Sequence, residues 1–528
     1  MHIGLVGAIF LSIFMAALIT ENYGYGYWMI SRPVFAGPLI GLILGDIKTG
    51  LIVGASVELM YMGVLPIGGS IPPNAQIAGI IGTFFAISAG GKPEVGISLA
   101  LPIGILAQFL IMLAWNINIF LVHKADKSLQ ELNIKKTERI HICGLLVFFI
   151  TFLIPTFLAV YFGSDYVGAL VDKLPDWFMD GLKIASGILP AVGMAMLLKM
   201  MDFKKYWAFF LIGFVLAVYL KLNILSIALL GLGISVGLMA LQKNESEQFV
   251  TNYELSSKEN NDALLDKKDI LKTFVRSFFT MTTINYERYC NLGFCYAMLP
   301  ALKKFYPKEE DLKEAALRHN EFYNCHPYAG NAIIGVSLAL EEERSKGKDI
   351  TAETISSTKA ALMGPLSGIG DSIFKGTFMT IFAAIGAGLS LDGNPIGPFV
   401  FLIPNILLNV VTRYYGISLG YKFGINLVNK LHQSNIIDKF VQGATIVGMM
   451  VVGAMIVSFV SIKFAATWNF GGKEIVLQDL LDSILPSMLP LLVTLGFYSA
   501  LRKYKNAIYW LILICFVVGI AGKLLGVF

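Results

Sequence analysis

Residues 53–81 read VGASVELMYMGVLPIGGSIPPNAQIAGII, an apolar stretch that carries one acid, Glu58. Pro66, Gly68, Gly69, Pro72 and Pro73 follow it, so the helix that holds Glu58 cannot continue. Ser70, Asn74 and Gln76 stand in and just after that break. Amides both donate and accept, and a carboxylate accepts short charge-assisted hydrogen bonds, which together suit a polyhydroxylated solute. Asn74 and Gln76 are equally suited to cap a helix restarting near Gln76. Broken backbone at membrane depth is tolerated where protein buries it or it lines a cavity, so this segment reads as half of a transport site.

Three later stretches carry comparable groups. In INYERYCNLGFCYAMLP, residues 284–300, the spacing puts Glu287 and Asn291 one turn apart on a shared helix face, with Asn285 close to Arg288. In FYNCHPYAGNAIIG, residues 322–335, Asn324, His326 and Asn331 cluster around Pro327 ahead of a short apolar helix. Pro327 biases His326 away from helix, and His326 suits a hydrogen bond to ligand, a proton relay or a loop-fixing role. In MGPLSGIGDSIFKGT, residues 363–377, glycines flank Asp371 and Lys375, four apart and able to pair. That run reads as a tight re-entrant turn carrying an acid; no strand precedes it, so it is not a dinucleotide phosphate loop.

The elements that position these groups are membrane helices. Of 528 residues, 56% are hydrophobic and only 15% charged, against roughly 25% in soluble domains. Runs at 1–20, 140–164, 222–242 and 440–462 have the roughly 20 residues a span needs; 507–522 does too if it continues to Phe528. Residues 1–20 lack a basic n-region and a convincing cleavage site and read as a retained first segment. The net charge of +5 fits basic cytoplasmic loops and requires no nucleic acid. Five cysteines without CxxC spacing and six histidines without HExxH give no metal site, and no cofactor is expected. The fold class is therefore an all-α polytopic membrane protein with broken and re-entrant helices, rich in glycine for close packing in lipid.

The chain divides in two. Residues 1–242 hold about seven to nine hydrophobic segments, with a turn at Asp46 and Lys48; 243–273 form a charged linker, helical towards its end; 274–528 form a second membrane unit. Within it, residues 312–322 have the stripe of a solvated or interfacial helix. Lys267, Lys268, Lys272 and Arg276 near the linker place it on the cytoplasmic side.

On these motifs the first half, RPVFAGPLIGLILGDIKTGLIVGASVELMYMGVLPIGGSIPPNAQIAGII, resembles the IIC component of the mannose–fructose–sorbose class of the bacterial phosphotransferase system. The second, with NYERYCNLGFCYAMLPAL, RHNEFYNCHPYAGNAIIGVSLALEEE, MGPLSGIGDSIFKGT and TRYYGISLGYKFG, is similar to its IID component. In most relatives the two are separate chains; here residues 243–273 join them, and many relatives carry Asp where Asn74 stands. The resemblance implies a component of the bacterial cell membrane that imports a hexose without itself transferring phosphate. It further implies cytoplasmic IIA and IIB partners, an elevator-like motion of a core against a scaffold, and a homotrimer. It places the sugar site at Glu58, Asn74 and Gln76, with Ser70 in the break and Asn285, Glu287, Asn324, His326, Asn331 and Asp371 from the second half. An ion-coupled symporter using Glu58 and Asp371, and a receptor for bacteriocins or phage, are the other readings.

Overall fold

A computed structural model describes residues 4–64, 71–171, 173–201, 203–241, 263–424, 436–465, 467–470, 473–504 and 507–528 of the chain. The first unit comprises α1 (Leu5–Gly24), α2 (Pro33–Leu44), α3 (Ile47–Tyr61), α4 (Ala75–Ser88), α5 (Pro93–Gln130), α6 (Ile134–Val171), α7 (Asp176–Met200), α8 (Phe203–Tyr219) and α9 (Ile224–Leu241). In the second, α10 (Lys267–Ser277), α11 (Asn291–Phe305), α12 (Glu309–His319) and α13 (Asn331–Ser345) precede α14 (Ala352–Gly370). A π-helical segment (Asp371–Met379) joins α14 to α15 (Thr380–Leu391), followed by α16 (Gly397–Phe423) and α17 (Ile436–Phe459). After β1 (Thr467–Phe470) and β2 (Lys473–Val476) come α18 (Leu477–Ile484), α19 (Met488–Lys503) and α20 (Ala507–Leu524).

Among the described residues, six helices are long and apolar enough to cross a membrane, or seven if the α18–α19 pair, bent by 78°, is one span. Their lipid-facing sides are legible as ladders of exposed apolar residues at helical spacing. Leu146, Ile150, Ile154, Leu158 and Phe162 run along α6, and Phe399, Ile403, Leu407, Val411 and Tyr415 along α16. Such continuous apolar strips are not left in water. The helical membrane architecture is as the composition requires, with one addition: β1 and β2 pair antiparallel, Thr467 opposite Val476. Their aromatic and β-branched residues flank Gly471 and Gly472 in the sequence, a pattern that suits a hairpin.

Glycines set the closest helix crossings, as their abundance suggests. A Cβ at Gly82 of α4 would lie 2.9 Å from the Gly96 carbonyl oxygen of α5, and one at Gly335 of α13 only 2.9 Å from Gly420 Cα of α16. In lipid such contacts replace the hydrophobic effect as the source of association. The two units interlock: α7 packs on α19 and α20, α8 and α9 on α17, and α3 on α15. The Asp46 turn forms as expected, with Gly45 left-handed at φ +82° and Asp46 capping α3 through the Thr49 N–H. The linker's helical end is α10, opened by a reciprocal cap between Asp266 and Asp269; residues 243–262 lie outside the described residues.

Two local expectations change. Residues 363–377 do not turn back: α14, the π-helical segment and α15 run as one apolar helical path, Ala352–Leu391. One of its glycines makes room for a neighbour instead, since a Cβ on Gly370 would sit 2.4 Å from that of His326. Residues 312–322 do form a helix, but it is Glu309–His319, ending before Phe322.

Candidate functional site

The segment that breaks the helix after Glu58 ends α3 at Tyr61 and restarts as α4 at Ala75. Ser70, with Pro66, Gly68 and Gly69, lies outside the described residues. Asn74 caps α4, its Oδ1 accepting the Ile77 N–H at 2.8 Å while its Nδ2 donates to the Tyr23 hydroxyl at 2.9 Å. Asn74, Gln76, Pro72 and Pro73 form one wall of a cavity of about 140 Å³.

The opposite wall comes from the second unit. His326, Asn324 and Asn331 reach it from the loop before α13, and Asp371 and Lys375 from the π-helical segment. A π-helical turn is rare and is found frequently at functional sites. Its widened carbonyls are met by hydroxyls five residues on: Thr377 Oγ1 donates to Ser372 O at 3.0 Å and Thr380 Oγ1 to Lys375 O at 3.1 Å. Asp371 and Lys375 pair at 2.9 Å, as their spacing predicts.

His326 is buried, stacked on Phe374 at 5.2 Å. Its Nδ1 accepts the Tyr328 N–H at 3.2 Å, so the neutral ring carries its proton on Nε2. That Nε2 has no partner among the described residues, and neither do Asn22 Oδ1, Trp115 Nε1 and Asn331 Oδ1. All four side chains line the same cavity. Unpaired buried polar atoms are rare because each costs about 1–3 kcal/mol, and four around one space leave that space lined with groups ready to hydrogen-bond.

Three expected residues stand off the cavity. Glu58 is fully buried and bound to Arg32, through Nη2 and through Nε at 3.0 Å, with the Val34 N–H at 3.3 Å. Arg32, not Glu58, lines the cavity. Asn285 knits its own loop: Nδ2 donates to Tyr289 O at 2.9 Å and Asn291 Oδ1 at 3.2 Å, while Oδ1 accepts the Arg288 N–H at 2.8 Å. Glu287 is partly exposed and meets His123 of α5 at 2.7 Å. Glu287 and Asn291 do not share a helix face, because α11 begins only at Asn291. The 284–290 loop is instead a turn closed between Asn285 and Tyr289.

Cavity residues that pattern reading passes over include Asn22, Tyr23, Arg32, Trp115 and Ser367. Arg32 carried a signal, a cation between two apolar runs. Trp115 carried none, since a tryptophan on an apolar helix is ordinary.

Comparison with known proteins places each half. Residues 264–528 match the family described as "PTS system mannose/fructose/sorbose family IID component". Residues 5–236 match "PTS system sorbose-specific iic component". The mannose-specific EIID component of Escherichia coli K12 is 39% identical over 269 residues, covering 50% of this chain and 94% of that protein. The fructose permease IID component of Bacillus subtilis 168 is 40% identical, covering 50% and 97%. On the other half, N-acetylgalactosamine permease IIC component 1 of Escherichia coli K12 is 35% identical, covering 42% and 85%.

Proposed function

The chain belongs to the mannose/fructose/sorbose family of the sugar phosphotransferase system, a IIC and a IID component in one multi-pass cytoplasmic-membrane polypeptide, and we propose that it binds a neutral hexose in the cavity between the two halves. Components of this kind are transport subunits and not the phosphoryl-transfer enzymes. The observation that carries the proposal is that neither half closes the cavity alone, while four lining side chains keep unpartnered polar atoms. Arriving hydroxyls supply both acceptors and donors for them. The cavity's Asp371 is paired with Lys375, and Glu58 behind Arg32 is paired too, so the site is nearly neutral. That pairing favours an uncharged sugar over an ion-coupled mechanism, which needs a carboxylate free to take a cation.

In the cycle we propose, sugar enters from outside and is held by Asn74, Gln76, His326 and Asn331. The core carrying it then moves across the membrane in an elevator-like step, and a cytoplasmic IIB protein, charged by IIA, phosphorylates it. The linker lies on that cytoplasmic side, and three copies of the chain assemble together. The homologues differ in the sugar they are named for, and Asn74 is the position we assign to that difference. Proteoliposomes test the cycle: sugar should accumulate as its phosphate ester only with IIA, IIB and a phosphate donor inside. Accumulation of free sugar driven by a proton or sodium gradient without IIB would overturn it.

A further inference from the structure

Residues 25–31, between α1 and α2, carry strained backbone beside the cavity. Gly26, Tyr27 and Met29 have φ of +121°, +59° and +68°. The left-handed region is disfavoured for tyrosine and methionine, and such residues persist only where their surroundings hold them. Part of the hold is internal: Glu21 accepts the Met29 N–H at 2.8 Å and the Ser31 hydroxyl at 2.9 Å.

The rest comes from the other unit. Asn409 Nδ2 donates to Gly26 O at 2.9 Å and to Tyr27 O at 3.1 Å, and the Tyr328 hydroxyl donates to Tyr27 O at 3.1 Å. The orientation of the Asn409 amide is set behind it, because Arg413 Nε donates to Asn409 Oδ1 at 2.6 Å. Arg413 in turn donates to Ser277 O at 2.6 Å and lies over Phe278, whose ring stacks on Trp28 at 4.7 Å. Asn409 and Arg413 are both buried, one turn apart on α16. Neither lines the cavity, but Tyr27 and Met29 on the held loop do, as do Asn22 and Tyr23 just before it and Arg32 just after it.

We propose that Asn409 and Arg413 are positioning residues that hold the first unit's 25–31 loop in the shape the sugar site requires. They contribute no atom to the site. They act by matching two carbonyls, Gly26 O and Tyr27 O, with donors that exist only when the two units are docked. The site's first-unit wall is therefore conditional on the second unit, which goes beyond the shared cavity: affinity depends on a contact remote from the ligand. The inference rests on the sugar-site reading above.

Two nearly isosteric variants test it in the full chain in nanodiscs. Asn409→Asp keeps the pairing with Arg413 but removes both donors to the loop. Tyr328→Phe removes one hydroxyl. Binding of mannose, glucose, fructose and sorbose is measured with hydrogen exchange of the peptide covering 25–31. From the usual contribution of a hydrogen bond, Asn409→Asp should weaken binding about 10-fold and Tyr328→Phe about 3-fold, with faster exchange at 26–31 in both. In uptake assays KM should rise more than kcat falls. Wild-type affinity in Asn409→Asp, or weaker binding with unchanged exchange, overturns the proposal. If Asn409→Asp does not fold, Tyr328→Phe decides by the same criteria. If the unsubstituted protein binds none of the four sugars, the sugar reading fails separately, and the exchange comparison still decides whether α16 holds the loop.

Discussion

At the scale of single residues, the buried Arg32–Glu58 pair changes what Glu58 is for. A lone acid in an apolar helix invites the reading of a ligand carboxylate, but here the arginine takes both its oxygens. Removing one partner of a buried pair leaves an uncompensated charge and costs about 3–5 kcal/mol. Glu58→Ala should therefore lower the thermal midpoint of the purified protein sharply, as well as abolish uptake. The double variant Arg32→Met, Glu58→Leu should recover most of the midpoint while leaving sugar binding weak, because Arg32 is the member that lines the cavity. His326 makes the complementary case. His326→Gln keeps an N–H donor and should retain binding within about 10-fold, whereas His326→Phe, with no donor, should lose more, by isothermal titration with the transported sugar.

At the scale of elements, close crossings and a charged helix pair carry the consequences. α13 places Asn331 in the cavity and lies against α16 through Gly335 and Gly420, where a Cβ on Gly335 would meet Ile417 O at 2.3 Å. Gly335→Val should cost about 1–3 kcal/mol by overpacking and displace Asn331, read as a lower unfolding midpoint together with weaker binding. Outside the candidate spans, α12 and α13 are joined by a buried cluster. Glu341 accepts from Arg318 Nε at 2.9 Å, from Tyr306 at 2.7 Å and from His319 Nε2 at 2.6 Å. Burial alone would raise the Glu341 carboxyl, but the hydrogen bonds from His319 and Arg318 outweigh it and hold it at about 2. Burial pushes His319 below its ordinary value. Both shifts act in one direction. The neutral His319 resists the proton that the unfolded chain takes up below about pH 6.5, and the ionised Glu341 resists the one taken up below about pH 4.5. Stability from this cluster is thus complete above about pH 7 and falls in two stages on acidification. Unfolding midpoints measured from pH 7.5 to 4 should show that decline, reduced in His319→Gln.

At the scale of the whole molecule, the two units are held by packing and by hydrogen bonds across their boundary. Thr282 Oγ1 donates to Gly24 O at 2.5 Å, Asn118 Nδ2 to Ile284 O at 3.0 Å, and Arg288 pairs with Asp126 at 2.5 Å. With α7 against α19 and α20 and α8 against α17, the halves share a packed boundary besides the covalent linker. A protease site placed within residues 243–262 should, once cut, leave the halves co-purifying and sugar binding unchanged within about twofold. Separation of the fragments in mild detergent would show that the linker does hold them.

Much of this was legible without coordinates, for physical reasons. Apolar runs of about 20 residues have few fates other than crossing a bilayer, and Pro66–Pro73 cannot be helix, so membrane class and the interrupted α3–α4 segment follow from composition and local stereochemistry. The motifs at Asn324–Asn331 and at Asp371 and Lys375 were visible as polar groups that apolar helices do not carry idly. The sequence could not say which of those polar groups satisfy one another. Glu58 and Arg32 are 26 residues apart, Asn285 and Asn291 six, and Asn409 and Gly26 383; only their distances in space show that the first two pairs are internally satisfied and that the third spans the units. A cavity is a property of what remains unpaired after packing, so Asn22, Trp115, His326 and Asn331 came to line one space only in the folded chain.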